Sequence, residues 1–124
     1  MNEQHPQVPN WVSIGHISDI APLGCRRVKR PEGVEGAEVA VFRANGDRIF
    51  AVLDKCPHKG GPLSQGMVFG ETVACPLHNW NFSLSTGLVQ SPDEGQVRTF
   101  QVKTQDQEIF LDRNELMLPD AQFV

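Results

Sequence analysis

The chain has 124 residues, enough for one domain that buries its own core without disulfide staples. Its 40% hydrophobic and 21% charged residues are ordinary for a globular protein, and its net charge of −4 argues against a nucleic-acid partner, which rewards clustered Lys and Arg. The opening Met1-Asn2-Glu3-Gln4-His5-Pro6 lacks the basic start and apolar run of a secretory signal, and no stretch nears the ~20 apolar residues of a membrane span. A cytoplasmic protein with no membrane partner is expected, and there three cysteines read as metal ligands or thiols before they read as a disulfide.

In chain order, Trp11 to Ile17 is the first candidate strand, and Ser18 to Ala21 predicts one capped helical turn before Pro22. Cys25 to Arg30 is a second strand, whose basic run Arg26-Arg27-Val28-Lys29-Arg30 reads as a solvated face. Glu38–Arg43 and Arg48–Leu53 flank Asn45-Gly46, which supplies the positive φ angles of a tight hairpin turn. From Asp54 to Gly70 the chain is rich in Pro and Gly. A short strand, Thr72 to Ala74, then leads into Cys75-Pro76-Leu77-His78. Asn81 to Leu84 is another strand, and Gln96–Thr104 pairs with Glu108–Asp112 as a last hairpin around Gln105-Asp106-Gln107. No segment carries a sustained helical stripe, so the fold is expected to be an all-β sandwich or barrel of short antiparallel strands.

Two ligand pairs carry the chemistry. Cys56-Pro57-His58 is Cys-x-His and Cys75-Pro76-Leu77-His78 is Cys-x-x-His, each in a loop that follows a candidate strand. Thiolate and imidazole are ligands that transition metals prefer, and two matched pairs in turn-rich loops read as one metal site rather than as coincidence. Two Cys and two His suit tetrahedral zinc or a two-iron centre in which two His replace two Cys on one iron. Zinc sites tend to use compact spacing or a helix carrying two ligands, and His58 and His78 share no helix. Gly60 and Gly61 beside the first pair suit a close backbone approach to something bulky.

The run Cys56-Pro57-His58-Lys59-Gly60-Gly61-Pro62-Leu63-Ser64, followed by Cys75-Pro76-Leu77-His78-Asn79-Trp80-Asn81-Phe82, resembles the two cluster loops of Rieske-type [2Fe–2S] proteins. Phe82, Leu84 and Ser85-Thr86-Gly87 resemble the strand and turn that close them. The resemblance implies a Rieske-like antiparallel fold over residues 11–114 with a small cluster-binding subdomain (loops 54–66 and 73–83), between tails at 1–10 and 115–124. It implies that Cys56 and Cys75 bind the buried iron and that His58 and His78 bind the outer one. A second resemblance covers nearly the whole chain. Gly36–Arg43 and Ser91–Phe100 resemble the small subunit of assimilatory NAD(P)H-dependent nitrite reductase. In that family the partner is a large subunit carrying FAD, a [4Fe–4S] cluster and sirohaem, which reduces nitrite to ammonium.

High-potential Rieske proteins add a disulfide between the loops and Ser and Tyr hydroxyls aimed at sulfur. Gly61 and Leu77 resemble the sites of those cysteines, neither is Cys, and the chain has no Tyr. The resemblance therefore implies a potential near the low end of the Rieske range, about −150 mV.

Other residues have plainer readings. Cys25 is expected to be a structural thiol, His16 and Lys59 solvated groups, His5 part of the tail, and Asp93 and Glu94 a surface turn. Trp80 packs in the core, shields the metal or sits in a partner interface. No nucleophile with a base and no phosphate loop is present, so no catalytic residue is assigned and the chain is not expected to reduce nitrite alone. Three functions compete: the nitrite reductase small subunit, a Rieske-type ferredoxin serving an aromatic-ring-hydroxylating dioxygenase, and a non-redox assembly subunit with a structural metal. A complete oxygenase is not expected, since 124 residues leave no room for a second domain holding a mononuclear iron.

Overall fold

A computed structural model describes residues 8–57, 60–77, 80–90 and 94–120. Its centre is the expected hairpin. β3 (Val39–Arg43) and β4 (Ile49–Leu53) pair antiparallel, with Val41 opposite Ala51 and Arg43 opposite Ile49. The connection is wider than a two-residue turn. Asn45–Asp47 form one 3₁₀ turn, with Gly46 at φ 71° and Asp47 at φ 61°. The Arg43 guanidinium holds that turn by donating to the Asp47 carboxylate at 2.8 and 2.9 Å.

β2 (Cys25–Val28) borders β3, and β8 (Thr99–Phe100) borders β4, giving a four-stranded sheet in the order β2-β3-β4-β8. Val39, Ala40, Val41 and Phe42 are all 0% exposed because both faces of this sheet are covered. On one face, Val39, Val41 and Ala51 meet Ile109 and Leu111 of a second sheet. That sheet is built from β1 (Trp11–His16), β9 (Val102–Gln105) and β10 (Glu108–Asp112) in the order β1-β10-β9. On the other face, Ala40, Phe42 and Val52 meet Leu63, Val68, Val73, Phe82, Cys56 and Cys75. These belong to two loops and a small sheet of β5 (Met67–Phe69), β6 (Thr72–Ala74) and β7 (Asn81–Ser83). The protein is thus all-β with antiparallel sheets in three layers, and the cysteine loops lie on one outer layer. Each fully buried Val, Leu or Phe stabilises the stack by roughly 1.5–3 kcal/mol.

Three expectations need adjustment. Gln96–Thr104 is not one strand: it breaks at Gln101, whose N–H donates to the Glu115 carboxylate at 2.7 Å as the chain crosses from the central sheet to the β1-β10-β9 sheet. The helical turn near Ser18 starts earlier, at Ile17–Asp19, where Asp19 accepts the His16 N–H at 2.9 Å. One short helix, α1 (Arg113–Leu116), follows β10, with Asp112 accepting the Asn114 N–H at 2.9 Å as its cap.

Beyond α1 the chain is held by two buried guanidinium groups. Arg30, its side chain 3% exposed, donates to the carbonyls of Ala37, Leu116 and Leu118 and to Asp120 at 2.8 Å. Arg98 donates to the carbonyls of Glu115 and Leu118 at 2.7 and 3.1 Å, and lies over the Phe100 ring at 4.2 Å. Among the described residues no helix is long and apolar enough to cross a membrane.

Candidate metal centre

Each candidate cysteine sits one to three residues past the end of a strand, and each loop is closed in the same way. The Cys56 N–H donates to the carbonyl of Gly61, and the Cys75 N–H donates to the carbonyl of Trp80, both at 2.8 Å. The Gly60 N–H returns a bond to the Cys56 carbonyl at 2.7 Å, and Gly60 takes the left-handed φ of 76° that this return needs. The outcome is two short loops whose first residue is a cysteine, each 1% exposed and packed into one apolar cluster with Leu63, Val73 and Phe82.

The two loops touch. A Cβ on Gly61 would lie 2.8 Å from Leu77 Cγ and 3.4 Å from Cys75 Sγ, so the bare backbone of residue 61 lets the loops approach with Leu77 in its present place. The positions that resemble a cross-loop disulfide, Gly61 and Leu77, do face each other, but as glycine and leucine. Gly66 makes a second close approach: a Cβ there would meet the Ala74 carbonyl oxygen at 2.0 Å, next to Cys75.

The fit to a metal follows from the donor chemistry. All three cysteines are thiols rather than disulfides, and two of them are brought to the same place in an apolar setting. Thiol sulfur is a soft donor of the kind transition metals and iron–sulfur centres take, and Cys56 and Cys75 place two such donors side by side in the core. The other two expected ligands, His58 and His78, lie outside the described residues, as do Lys59, Asn79 and Asp93.

Cys25 is different. Burial, then the negative charge of Asp54, push its thiol up to about 12, against a backbone hydrogen bond to Val41 and the charge of Arg27. A thiol so hard to ionise is a poor ligand and nucleophile. It packs half-buried against the same apolar cluster, in line with a structural role. His16 is exposed on β1 and Glu94 is exposed. Trp80 is partly buried, its ring 6.2 Å from that of Phe82 and against Gly95, so it packs between the second loop and the segment that follows.

The sequence reading missed the residues that hold the first loop from outside. The Asp54 carboxylate accepts both the N–H of Ser64 at 2.7 Å and its hydroxyl at 2.8 Å. A cleft of about 280 Å³ runs between this loop (Lys55, Cys56, Pro57, Gly60) and the backing segment Gln96–Arg98.

The Rieske [2Fe-2S] domain profile matches residues 10–101. The chain is 33% identical over 102 residues to the ferredoxin CarAc of Metapseudomonas resinovorans, covering 82% of this chain and 92% of that one. It is 31% identical over 103 residues to the ferredoxin component of the naphthalene 1,2-dioxygenase system of Pseudomonas putida, covering 82% and 94%. A solved structure given only a provisional description as a nitrite reductase NADPH small subunit superimposes with a TM-score of 0.68 at 29% identity, covering 82% of this chain and 97% of that one.

Proposed function

This chain belongs to the Rieske [2Fe–2S] domain family, and we propose that it is the electron-transfer small subunit of an NAD(P)H-dependent assimilatory nitrite reductase. Family membership brings a Rieske-type [2Fe–2S] cluster and a place in an oxidoreductase system. We assign its ligands to Cys56 and Cys75 on the buried iron and His58 and His78 on the outer one. When bound, the cluster takes up and releases one electron at a time. The protein's own contribution is to hold two thiolates in apolar surroundings and to close each loop with a backbone bond from its cysteine.

The finer assignment is supported by the two segments outside the ligand loops that resemble the nitrite reductase small subunit, Gly36–Arg43 and Ser91–Phe100. Described residues of both flank the lead-in to the first loop. The carbonyl of Glu38 accepts the Asp54 N–H at 2.8 Å, and the carbonyl of Arg98 accepts the Leu53 N–H at 2.9 Å. The solved structure of similar length and description supports the same reading. A second reading, a ferredoxin serving a ring-hydroxylating dioxygenase, is supported by the 33% and 31% identities to ferredoxins. The proposed partner is a large subunit with FAD, a [4Fe–4S] cluster and sirohaem.

Mixing the cluster-loaded chain with such a large subunit and NADH or NADPH tests the assignment. Stable association, reduction of the cluster and faster nitrite consumption are expected. No association with that subunit, but ready electron transfer to a dioxygenase, would move the assignment to the second reading. A metal that never changes oxidation state would favour an assembly role.

A further inference from the structure

Between Leu53, the last residue of β4, and Leu63 the described residues form no strand or helix, yet here the chain must present Cys56 to a fixed point. Backbone bonds from Cys56 to Gly61 and from Gly60 to Cys56 shape that turn, and the packing of Cys56 in the core holds it to the body. A side-chain clasp adds a directional tie. Asp54 Oδ1 accepts the Ser64 N–H at 2.7 Å, and Asp54 Oδ2 accepts the Ser64 hydroxyl at 2.8 Å, across ten positions of sequence. Both carboxylate oxygens are engaged by one residue, which fixes the plane of the carboxylate as well as its distance.

Each half of the clasp is anchored independently. The Asp54 N–H donates to the carbonyl of Glu38, the residue before β3, at 2.8 Å. Ser64 lies in the single 3₁₀ turn Leu63–Gln65, pinned by Leu63 at 0% exposure in the cluster that contains Cys56 and Cys75. The N–H that Asp54 accepts is one that the start of such a turn leaves without a partner of its own. Opening the clasp would leave the arc from 54 to 64 held by the Asp54 backbone bond, by Leu63 and by the packing of Cys56, without the side-chain bond that sets the distance between its two ends.

We infer that Asp54 and Ser64 are positioning residues for the cluster: their paired hydrogen bond closes the first loop and sets where the Cys56 sulfur stands. The inference rests on the assignment of Cys56 as a ligand. Removing a partner that orients a metal ligand typically weakens metal retention by about 10- to 100-fold. The carboxylate oxygens only accept, so an amide at 54 keeps an acceptor for the Ser64 N–H and offers a donor to its hydroxyl.

The test uses the cluster-loaded full chain and the variants Asp54→Ala, Ser64→Ala and Asp54→Asn. Loss of visible cluster absorbance in excess chelator gives the iron-release rate, and EPR after reduction gives the line shape. Melting of each metal-free protein reports the fold separately. Asp54→Ala is expected to release iron at least about tenfold faster, with broadened EPR lines. Ser64→Ala, which keeps the N–H bond, falls between, and Asp54→Asn restores near-native release and line shape. If Asp54→Ala fails to fold, Ser64→Ala carries the test. Native release rates and line shape in every folded variant among Asp54→Ala and Ser64→Ala overturn the inference, as does Asp54→Asn behaving like Asp54→Ala. A native chain that takes up no [2Fe–2S] cluster overturns the ligand assignment first, and this inference with it.

Discussion

Gly66→Ala is the substitution whose consequence follows most directly from geometry. Gly66 has φ −82° and ψ 171°, a conformation open to alanine, so no backbone strain arises. The obstacle is steric. The new Cβ would lie 2.0 Å from the Ala74 oxygen and 3.2 Å from the Leu63 oxygen, against the 3.0 Å below which such contacts essentially never occur. Both obstructing atoms are backbone, so no side chain can rotate away. The end of β6 must retreat by about 1 Å. Overpacking of this kind costs about 1–3 kcal/mol, and the rigid surroundings place it near the top of that range. The reduced freedom of the unfolded chain returns about 0.4–1 kcal/mol. A net loss of about 2 kcal/mol is expected, a drop in Tm of about 8 °C for a domain of this size. The functional loss should be larger, because Ala74 immediately precedes Cys75 and a metal site tolerates about 0.5 Å of displacement. Gly46→Ala is the control: φ is 71° with nothing within 4 Å of a Cβ, so about 1 kcal/mol is lost to backbone strain and cluster content is unchanged. Melting of the metal-free chains, with iron and sulfide measured per chain, gives both readouts. Gly66→Ala with native Tm and full cluster content would refute the reasoning.

Three further predictions concern charge and potential. Burial opposes ionisation of Asp120, but hydrogen bonds from Arg30 and the Ala37 N–H, with the charges of Arg30 and Arg98, outweigh it and hold the carboxyl below its ordinary value. A depressed folded value means the stabilisation is complete above the unfolded value, near pH 4, and is lost as pH falls through the folded one. Asp120→Asn should therefore cost about 1 kcal/mol of stability at pH 7 after allowing for solvent screening, seen as a lower Tm, with a gap that closes towards pH 2; an equal gap at both pH values would speak against the charge. Cys25, with its thiol at about 12, should be alkylated at pH 8 about a thousandfold more slowly in the native chain than in urea, read by peptide mass mapping. Because that folded value is raised, stability from Cys25 is complete below the unfolded value and falls as pH climbs towards 12. The facing pair Gly61 and Leu77 cannot form a disulfide, and the chain has no Tyr, so voltammetry should find a potential of about −150 mV; a value well above zero contradicts this.

Local chemistry made parts of the structure readable in advance. The alternating runs around Asn45-Gly46 gave the central hairpin, and the turn at Asp106 and Gln107, both at positive φ, closes the last one where the strands on either side implied it. The strand-then-cysteine order of both loops also followed from sequence. Contacts between distant residues did not. The break at Gln101 depends on Glu115, and the clasp on the first loop joins Asp54 to Ser64. β5 escaped notice because Met67 and Phe69 are apolar at exposed positions, which hides the alternation expected of a half-buried strand. The role of Gly61 was visible only as a glycine near a ligand pair; that it lets one loop touch the other's sulfur needed the fold.

EPR of the anaerobically purified, dithionite-reduced chain, with iron, sulfide and zinc measured on the same sample, bears most directly on the four-ligand centre. Two irons and two sulfides per chain are predicted, with a rhombic signal that shows nitrogen coupling from two imidazoles and loses part of it in His58→Cys or His78→Cys. Stoichiometric zinc with no signal, or a cluster signal without nitrogen coupling, would contradict the assignment of Cys56, His58, Cys75 and His78.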